Sequence, residues 1–150
     1  MRRKDKEITS QGEIETIIRR STVCRLAMVA GNEPYIVPLN FGYANNRLYF
    51  HSAPEGRKID MLHRNNLVCF EFDIDHQVVS GVKACKLGFR FQSVIGTGKA
   101  FFIDEPDAKK KALGVIMRQY TDKTFAYDDR IVSKTVVFGV AIETVSGKRS

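Results

Sequence analysis

Tryptophan is absent from the 150 residues, and thiols are few: Cys24, Cys69 and Cys85. An odd number at wide spacing, with no C-x-x-C pair, excludes a disulfide framework and a structural zinc site. Cys24 and Cys69 fall in apolar strand patterns and read as inert core thiols, whereas Cys85 falls in a stretch that reads as a loop. No apolar run approaches the roughly 20 residues needed to cross a bilayer. The opening MRRKDKEITS is charged and leads into no apolar stretch of the kind a secretory signal requires, so a cytoplasmic protein with no membrane partner is expected. No G-x-G-x-x-G follows a predicted strand, which excludes a Rossmann-type NAD(P)H site. Repeats and low-complexity segments are also lacking.

What is present is a globular composition with 43% hydrophobic residues. That suffices for one core, in a chain too short to suggest two. Residues 1–150 are expected to form a single domain, with 1–9 as a flexible arm. The net charge of +7 suits a partner that carries phosphate, and a basic surface is the usual footprint of nucleic-acid binding. Its distribution argues against nucleic acid. Arg2, Arg3, Lys4 and Lys6 lie in the arm, Lys109, Lys110 and Lys111 follow acidic residues on a predicted helix, and Lys148 and Arg149 form a basic tail. Such runs are more often solvated faces than binding stripes.

Ser10-Gln11-Gly12-Glu13 has the capping-box pattern, and Ile14, Ile17 and Ile18 follow at helical spacing, which predicts a helix over 11–20. Val23 to Val29 reads as a strand, Tyr35 to Tyr43 as a second, and Arg47 to Ser52 as a third, with turns at Gly31-Asn32 and Asn45-Asn46. Pro54 and Gly56 interrupt the sheet before a short helix through Ile59, Met61 and Leu62 that ends near Asn65-Asn66. The strand LVCFEFDI follows. Asp75 to about Phe91 reads as a long irregular loop carrying His76 and Cys85, and Ser93 to Ile103 as a strand. Asp104-Glu105-Pro106 opens a helix to about Tyr120, and Thr135 to Val145 is the last strand. The pattern predicts a mainly β fold with peripheral helices, a six-stranded antiparallel barrel, since closure removes exposed edges. A two-layer α+β sheet is the alternative.

The segment Tyr35 to Lys58, YIVPLNFGYANNRLYFHSAPEGRK, joins an aromatic hairpin to a Gly-Arg-Lys helix start. A helix start leaves backbone N–H groups free and carries the positive end of the dipole, so a phosphate is stabilised there before any side chain acts. Gly56 allows close approach, Arg57 adds a planar fork of donors and Lys58 a compact charge. Two cations at an already positive end are unfavourable unless an anion compensates them. Pro38 removes a donor from its strand, which is tolerable where that strand faces a ligand or an open edge.

The ordered set Cys24-Arg25-Leu26-Ala27, Glu33-Pro34-Tyr35, Pro38-Leu39-Asn40-Phe41-Gly42-Tyr43, Phe50-His51-Ser52-Ala53, Gly56-Arg57-Lys58, Val68-Cys69-Phe70-Glu71 and Ser93-Val94-Ile95-Gly96 resembles the pyridoxamine phosphate oxidase-like FMN-binding split barrels. Within them it is most similar to the nitroimidazole-resistance-protein-like branch, over nearly the whole chain. The resemblance implies a homodimer with the flavin in a cleft at the interface. Val37, Pro38, Leu39 and Asn40 would lie along the isoalloxazine, and His51, Ser52 and Ala53 beside the ribityl chain and phosphate. Gly56, Arg57 and Lys58 would hold the phosphate. Gln92 or Ser93 would reach the flavin from a strand start, in one reading from the second subunit. Lys148 and Arg149 resemble the basic ending of the branch. Two departures, no Trp and no extended C-terminal substrate segment, argue against vitamin B6 oxidation.

The resulting reading is an FMN flavoprotein, an oxidoreductase that reduces a small electron-poor substrate such as a nitroaromatic or quinone-like compound. The electron chemistry would be the cofactor's. No residue is an obvious general acid or base. His76 is a substrate-side candidate, and no metal site is expected. The alternative is a flavin-binding carrier or sensor without turnover. A basic barrel that binds nucleic acid ranks third, because Phe41, Phe50, Phe70 and Phe72 sit in apolar strand patterns that core packing explains. The residues alone leave FMN, FAD, deazaflavin and haem open.

Overall fold

The computed structural model describes residues 3–81 and 87–150. After a 3-10 turn at Lys4–Lys6 the order is β1 (Glu7–Ile8), α1 (Gln11–Arg20), β2 (Cys24–Ala30), β3 (Glu33–Leu39), β4 (Gly42–Ala44), β5 (Arg47–Ser52) and α2 (Arg57–Arg64). Then come β6 (Leu67–Val79), β7 (Gly88–Ile103), α3 (Pro106–Arg118), α4 (Asp129–Lys134) and β8 (Val136–Arg149). The antiparallel sheet runs β3-β2-β6-β7-β8-β5-β4, and β1 pairs with β8. β3 and β4 stand at opposite ends of this order, yet only Asn40 and Phe41 separate them in the chain. A sheet whose outer strands are joined by two residues must curl to bring them near each other at that link, while β3 and β4 do not pair with one another, which is the opening of a split barrel. Its inward face is filled by Phe41, Phe50, Phe70, Phe72 and Phe138, all fully buried. Phe41 lies 4.8 Å from Phe72, and Phe50 stacks at 5.1 Å on Phe138. No helix among the described residues is long and apolar enough to cross a membrane.

The mainly β barrel with peripheral helices is as expected, but the sheet has eight strands, not six. The stretch read as one strand from Tyr35 to Tyr43 divides at Asn40-Phe41, and its halves pair with different partners: β3 with β2, β4 with β5. Residues 7–8, expected within a flexible arm, pair with Lys148 and Gly147, and Ile8 is buried. Residues 1–2 lie outside the described residues. The stretch read as a loop after Asp75 is largely strand: β6 runs on to Val79 and pairs with β7 from Gly88. Asp75 has φ of 57° and the register shifts between Ile74 and Gln77, so the in/out alternation breaks there and conceals the continuation. Cys85 lies outside the described residues. The basic tail is part of β8, with Lys148 paired to Ser93 and Arg149 to Gln92.

α3 clamps the β3–β4 link. A Cβ on Gly42 would lie 2.6 Å from the backbone of Val115 and Ile116, so only glycine lets β4 approach this helix. Just beyond α3, Gln119 Nε2 donates to the carbonyls of Ile18, Arg19 and Ser21. The Tyr120 hydroxyl accepts from the N–H of Phe41 at 3.0 Å and donates to the carbonyl of Thr22 at 3.0 Å. Phe41 N–H sits at the β3–β4 break, where neither strand can take it. Tyr120→Phe is therefore expected to lower unfolding stability by about 1–3 kcal/mol, the cost of orphaning a buried donor, measured by urea denaturation.

Candidate functional site

α2 is anchored by Ile59, Met61 and Leu62, which are buried, and by His63, whose ring stacks on Phe102 at 4.4 Å. Its start differs from those of its neighbours. Ser10 accepts from Glu13 N–H, Glu105 from Asp107 and Ala108 N–H, and Asp128 from Arg130 N–H, so α1, α3 and α4 each open on a side-chain oxygen. α2 opens on Gly56 with no side-chain cap. The carbonyl of Gly56 accepts from Ile59 and Asp60, which leaves the N–H groups of Arg57 and Lys58 directed out of the helix end. Gly56 has φ of 129°, strained for any residue with a Cβ, and nothing lies within 4 Å of where that Cβ would be. The helix start is thus an open cradle of two amides and two cationic side chains.

The two cations differ in what surrounds them. The Arg57 guanidinium lies 4.8 Å from the ring centroid of Tyr35, and its Nη2 is 3.7 Å from Glu33 Oε2. That exposed ion pair is loose and worth little, so it leaves the guanidinium available. Lys58 is half-buried, makes no ion pair among the described residues, and burial pushes its pKa below the ordinary lysine value. His51, near the end of β5, is lowered by burial and then by the charge of Lys58, so its imidazole is neutral at pH 7.

β3 supplies the adjoining wall. It is the last strand of the sheet order, so one of its edges is free. Pro34 and Pro38 have the same parity and no N–H to donate, which places positions 34, 36 and 38 toward that free edge and leaves Tyr35, Val37 and Leu39 to bond β2. The edge therefore offers the carbonyls of Pro34, Ile36 and Pro38 and the N–H of Ile36 to a ligand. The side chains of Val37 and Leu39 pack on the core, and Asn40 is exposed at the strand end.

The expected site residues fall into two groups. His51, Ser52, Ala53, Gly56, Arg57 and Lys58 form one continuous segment, tied to β3 through Tyr35 and Glu33. Gln92, Ser93 and His76 lie elsewhere, and no hydrogen bond, ion pair or ring contact among the described residues joins them to the first group. Gln92 Nε2 donates to Asp75 at 2.9 Å, and Ser93 is buried. His76, expected in a loop, lies in β6. It bonds Asp73 at 2.8 Å, stacks on Phe89, and shares a cavity of about 360 Å³ with Glu71, Asp73, Phe89, Phe91 and Ser93. Lys148 lies over the Phe91 ring at 5.4 Å, and Arg149 pairs with Glu13, so neither is a solvated tail.

Sequence reasoning missed the network beside that cavity. Arg25 pairs with Glu71 at 2.9 Å and with Asp73. Asp73 is lowered although burial opposes it, because Arg25 and His76 favour its charge; Glu71 is raised by burial and by Asp73. The outward parity of Arg25, Glu71 and Asp73 was the available signal. Their rungs continue across the sheet: Pro38, Arg25, Glu71, Ile95 and Ser146 lie abreast, and Ile36, Ala27, Cys69, Thr97 and Thr144 form the next. On this outward face Ile36, Val29, Leu67 and Ile95 are 60%, 40%, 46% and 49% exposed, an apolar patch around a groove of about 230 Å³. No group of three or more side chains placed to hold a metal occurs among the described residues.

Fold and site together define a split β-barrel with an uncapped helix start near its open edge. The chain belongs to the pyridoxamine 5'-phosphate oxidase family, whose profile matches residues 10–149. A crystal structure of a candidate 5-nitroimidazole antibiotic resistance protein from Bacteroides thetaiotaomicron is 39% identical, with a TM-score of 0.87 over 95% of this chain and 86% of that one. An FAD-binding protein from Mesorhizobium loti is 25% identical, with a TM-score of 0.70 over 94% of this chain and 95% of that one. An uncharacterized protein of Rhizobium meliloti is 34% identical over 64 residues, a match that spans 43% of this chain and 42% of its own length.

Proposed function

We propose that the protein is an FMN-binding flavoprotein, active as a homodimer, that reduces a small electron-poor compound of the nitroaromatic type. The observation that carries this reading is the start of α2, which has no cap of its own and two cations beside its free amides. An FMN phosphate suits it: the N–H groups of Arg57 and Lys58, the Arg57 fork and the Lys58 ammonium would hold the dianion, with Ser52 and His51 on the same segment. The β3 edge would hold the isoalloxazine, with the Ile36 N–H and the Pro34, Ile36 and Pro38 carbonyls available to its polar rim. Flavin supplies the electron transfer; the chain's part is to hold the ring and to keep the face opposite β3 open to donor and acceptor. The single phosphate cradle favours FMN over FAD. The family membership and the 39% identical neighbour support the flavin and nitroaromatic readings respectively.

The homodimer rests on the outward sheet face. A second copy docked on the exposed Ile36, Val29 and Ile95 patch is the proposed interface, and Gln92 and Ser93, remote from Arg57 within one chain, would then serve the flavin of the other copy. Cys24 and Cys69, the described cysteines, are unpaired, which suits the same reading of a cytoplasmic protein.

The deciding experiment is to purify the protein, release its chromophore by heat and identify it, then reduce the holoprotein anaerobically and add nitroaromatic and quinone acceptors. FMN with rapid reoxidation by a nitroaromatic is expected. Released FAD, deazaflavin or haem would overturn the cofactor assignment, and reoxidation by no acceptor would leave a carrier or sensor. Lys58 sets a pH dependence. Its pKa is lowered in the free protein, and a bound phosphate raises it by favouring the charged form, so binding takes up a proton where free Lys58 is neutral. FMN affinity is expected to fall as pH rises through that depressed value, and a Lys58→Arg variant to lose the dependence, both read by flavin fluorescence titration.

A further inference from the structure

A second basic pocket lies on α3, away from the β3 edge and sharing no residue with the α2 start. It measures about 400 Å³ and is lined by Lys111, Met117 and Arg118 of α3 and by Lys123, Phe125 and Tyr127 of the segment leading to α4. Lys111, Gly114 and Arg118 are spaced to share one face of the helix. The place where a Gly114 Cβ would project is 3.6 Å from Arg118 Nη1, an ordinary contact distance, so the guanidinium lies back along the helix over Gly114 at the pocket wall. Lys110, at the rim, is committed to Asp129 at 2.6 Å and to Asp107 at 3.9 Å. Lys111, Arg118 and Lys123 make no ion pair among the described residues, and no carboxylate lines the cavity.

Three cations without an acid select an anion of more than one charge. A carboxylate brings one negative charge, whereas a phosphate monoester brings about −1.5 to −2 and three acceptor oxygens that suit an arginine fork. The remaining wall is apolar and aromatic. Phe125 is 45% exposed and Tyr127 stands beside it, an arrangement that takes the face of a planar ring. The volume is at the lower end of the ~300–1,000 Å³ of small-molecule sites. We propose that this pocket binds a phosphorylated aromatic small molecule of nucleoside-monophosphate size, with the phosphate on Arg118, Lys111 and Lys123 and the base against Phe125.

The test uses the full chain, loaded with FMN, titrated calorimetrically with AMP, adenosine and inorganic phosphate. AMP is expected to bind below about 1 mM, with adenosine and phosphate each at least about tenfold weaker. Arg118→Gln with Lys123→Gln should weaken AMP on the order of a hundredfold. Phe125→Ala should weaken AMP about tenfold and leave phosphate unchanged. These side chains are exposed, and an unchanged melting curve verifies that the variants fold. Arg57→Ala with Lys58→Ala should leave AMP affinity intact. If the chain takes up no flavin, the same titration of the flavin-free protein tests the pocket, so failure of one site is distinguished from failure of the other. No AMP binding at that concentration, less than about a threefold effect of the Arg118 and Lys123 changes, or loss only on changing Arg57 and Lys58 would each overturn the proposal.

Discussion

Replacing Arg57 and Lys58 together by alanine is expected to weaken FMN binding by about 3–5 kcal/mol, two to more than three decades in Kd. In the proposed site each side chain would make a charge-assisted contact worth about 1.5–3 kcal/mol. The two are unequal. Arg57 has 55% of its side chain exposed and a competing carboxylate in Glu33, which places it at the low end. Lys58 is half-buried and lacks an acidic partner among the described residues, so its charge is already partly stripped of water and gains most from a phosphate. Lys58→Ala alone should therefore cost more than Arg57→Ala alone. With flavin removed from both, the double variant should melt no lower than the parent, because two like charges leave the positive end of a helix. Fluorescence titration and a thermal scan of the three variants measure both effects. A variant that binds FMN as tightly as the parent would remove the phosphate site.

If the proposed homodimer holds, the parent protein is expected to run at about twice 17.0 kDa and Ile95→Lys as a monomer that has lost tight flavin binding. Ile95 is 49% exposed on the outward sheet face, so one folded chain tolerates lysine there, while Glu71 opposite it is already engaged by Arg25. At an apolar interface between two copies, the same ammonium costs several kcal/mol unless fully paired. Sedimentation analysis reads the mass and flavin titration reads the site. A monomeric parent protein would contradict the reading, and so would a monomeric variant that keeps full flavin affinity, since Gln92 and Ser93 would then have no part from across the interface.

Elements with a local signal were legible in the sequence. The Ser10 capping box and three isoleucines set α1 at Gln11–Arg20, and β5 falls at Arg47–Ser52 as read. Elements that depend on distant partners were not. β1 is two residues long and exists because β8 pairs with it; α4 buries only Val132 and so shows no helical period. The division of β3 from β4 is invisible because the apolar pattern runs on through Phe41, which the distant Tyr120 holds. The site divides in the same way. Gly56-Arg57-Lys58 at a helix start is a local pattern, legible from turn chemistry and charge. The hold of Tyr35 and Glu33 on Arg57, and the Arg25–Glu71–Asp73 network, come from strand pairing that spacing alone does not reveal. His76 was misplaced because the left-handed Asp75 interrupts the alternation that would have put it on a strand.

Comparing the affinities of FMN and riboflavin tests the central claim most directly, since the two share the ring and ribityl chain and differ only in the phosphate. If the start of α2 captures that phosphate, FMN binds on the order of a hundredfold or more tightly than riboflavin at pH 7, and the gap closes in the Arg57→Ala, Lys58→Ala double variant. Equal affinity of the parent protein for the two flavins would contradict it.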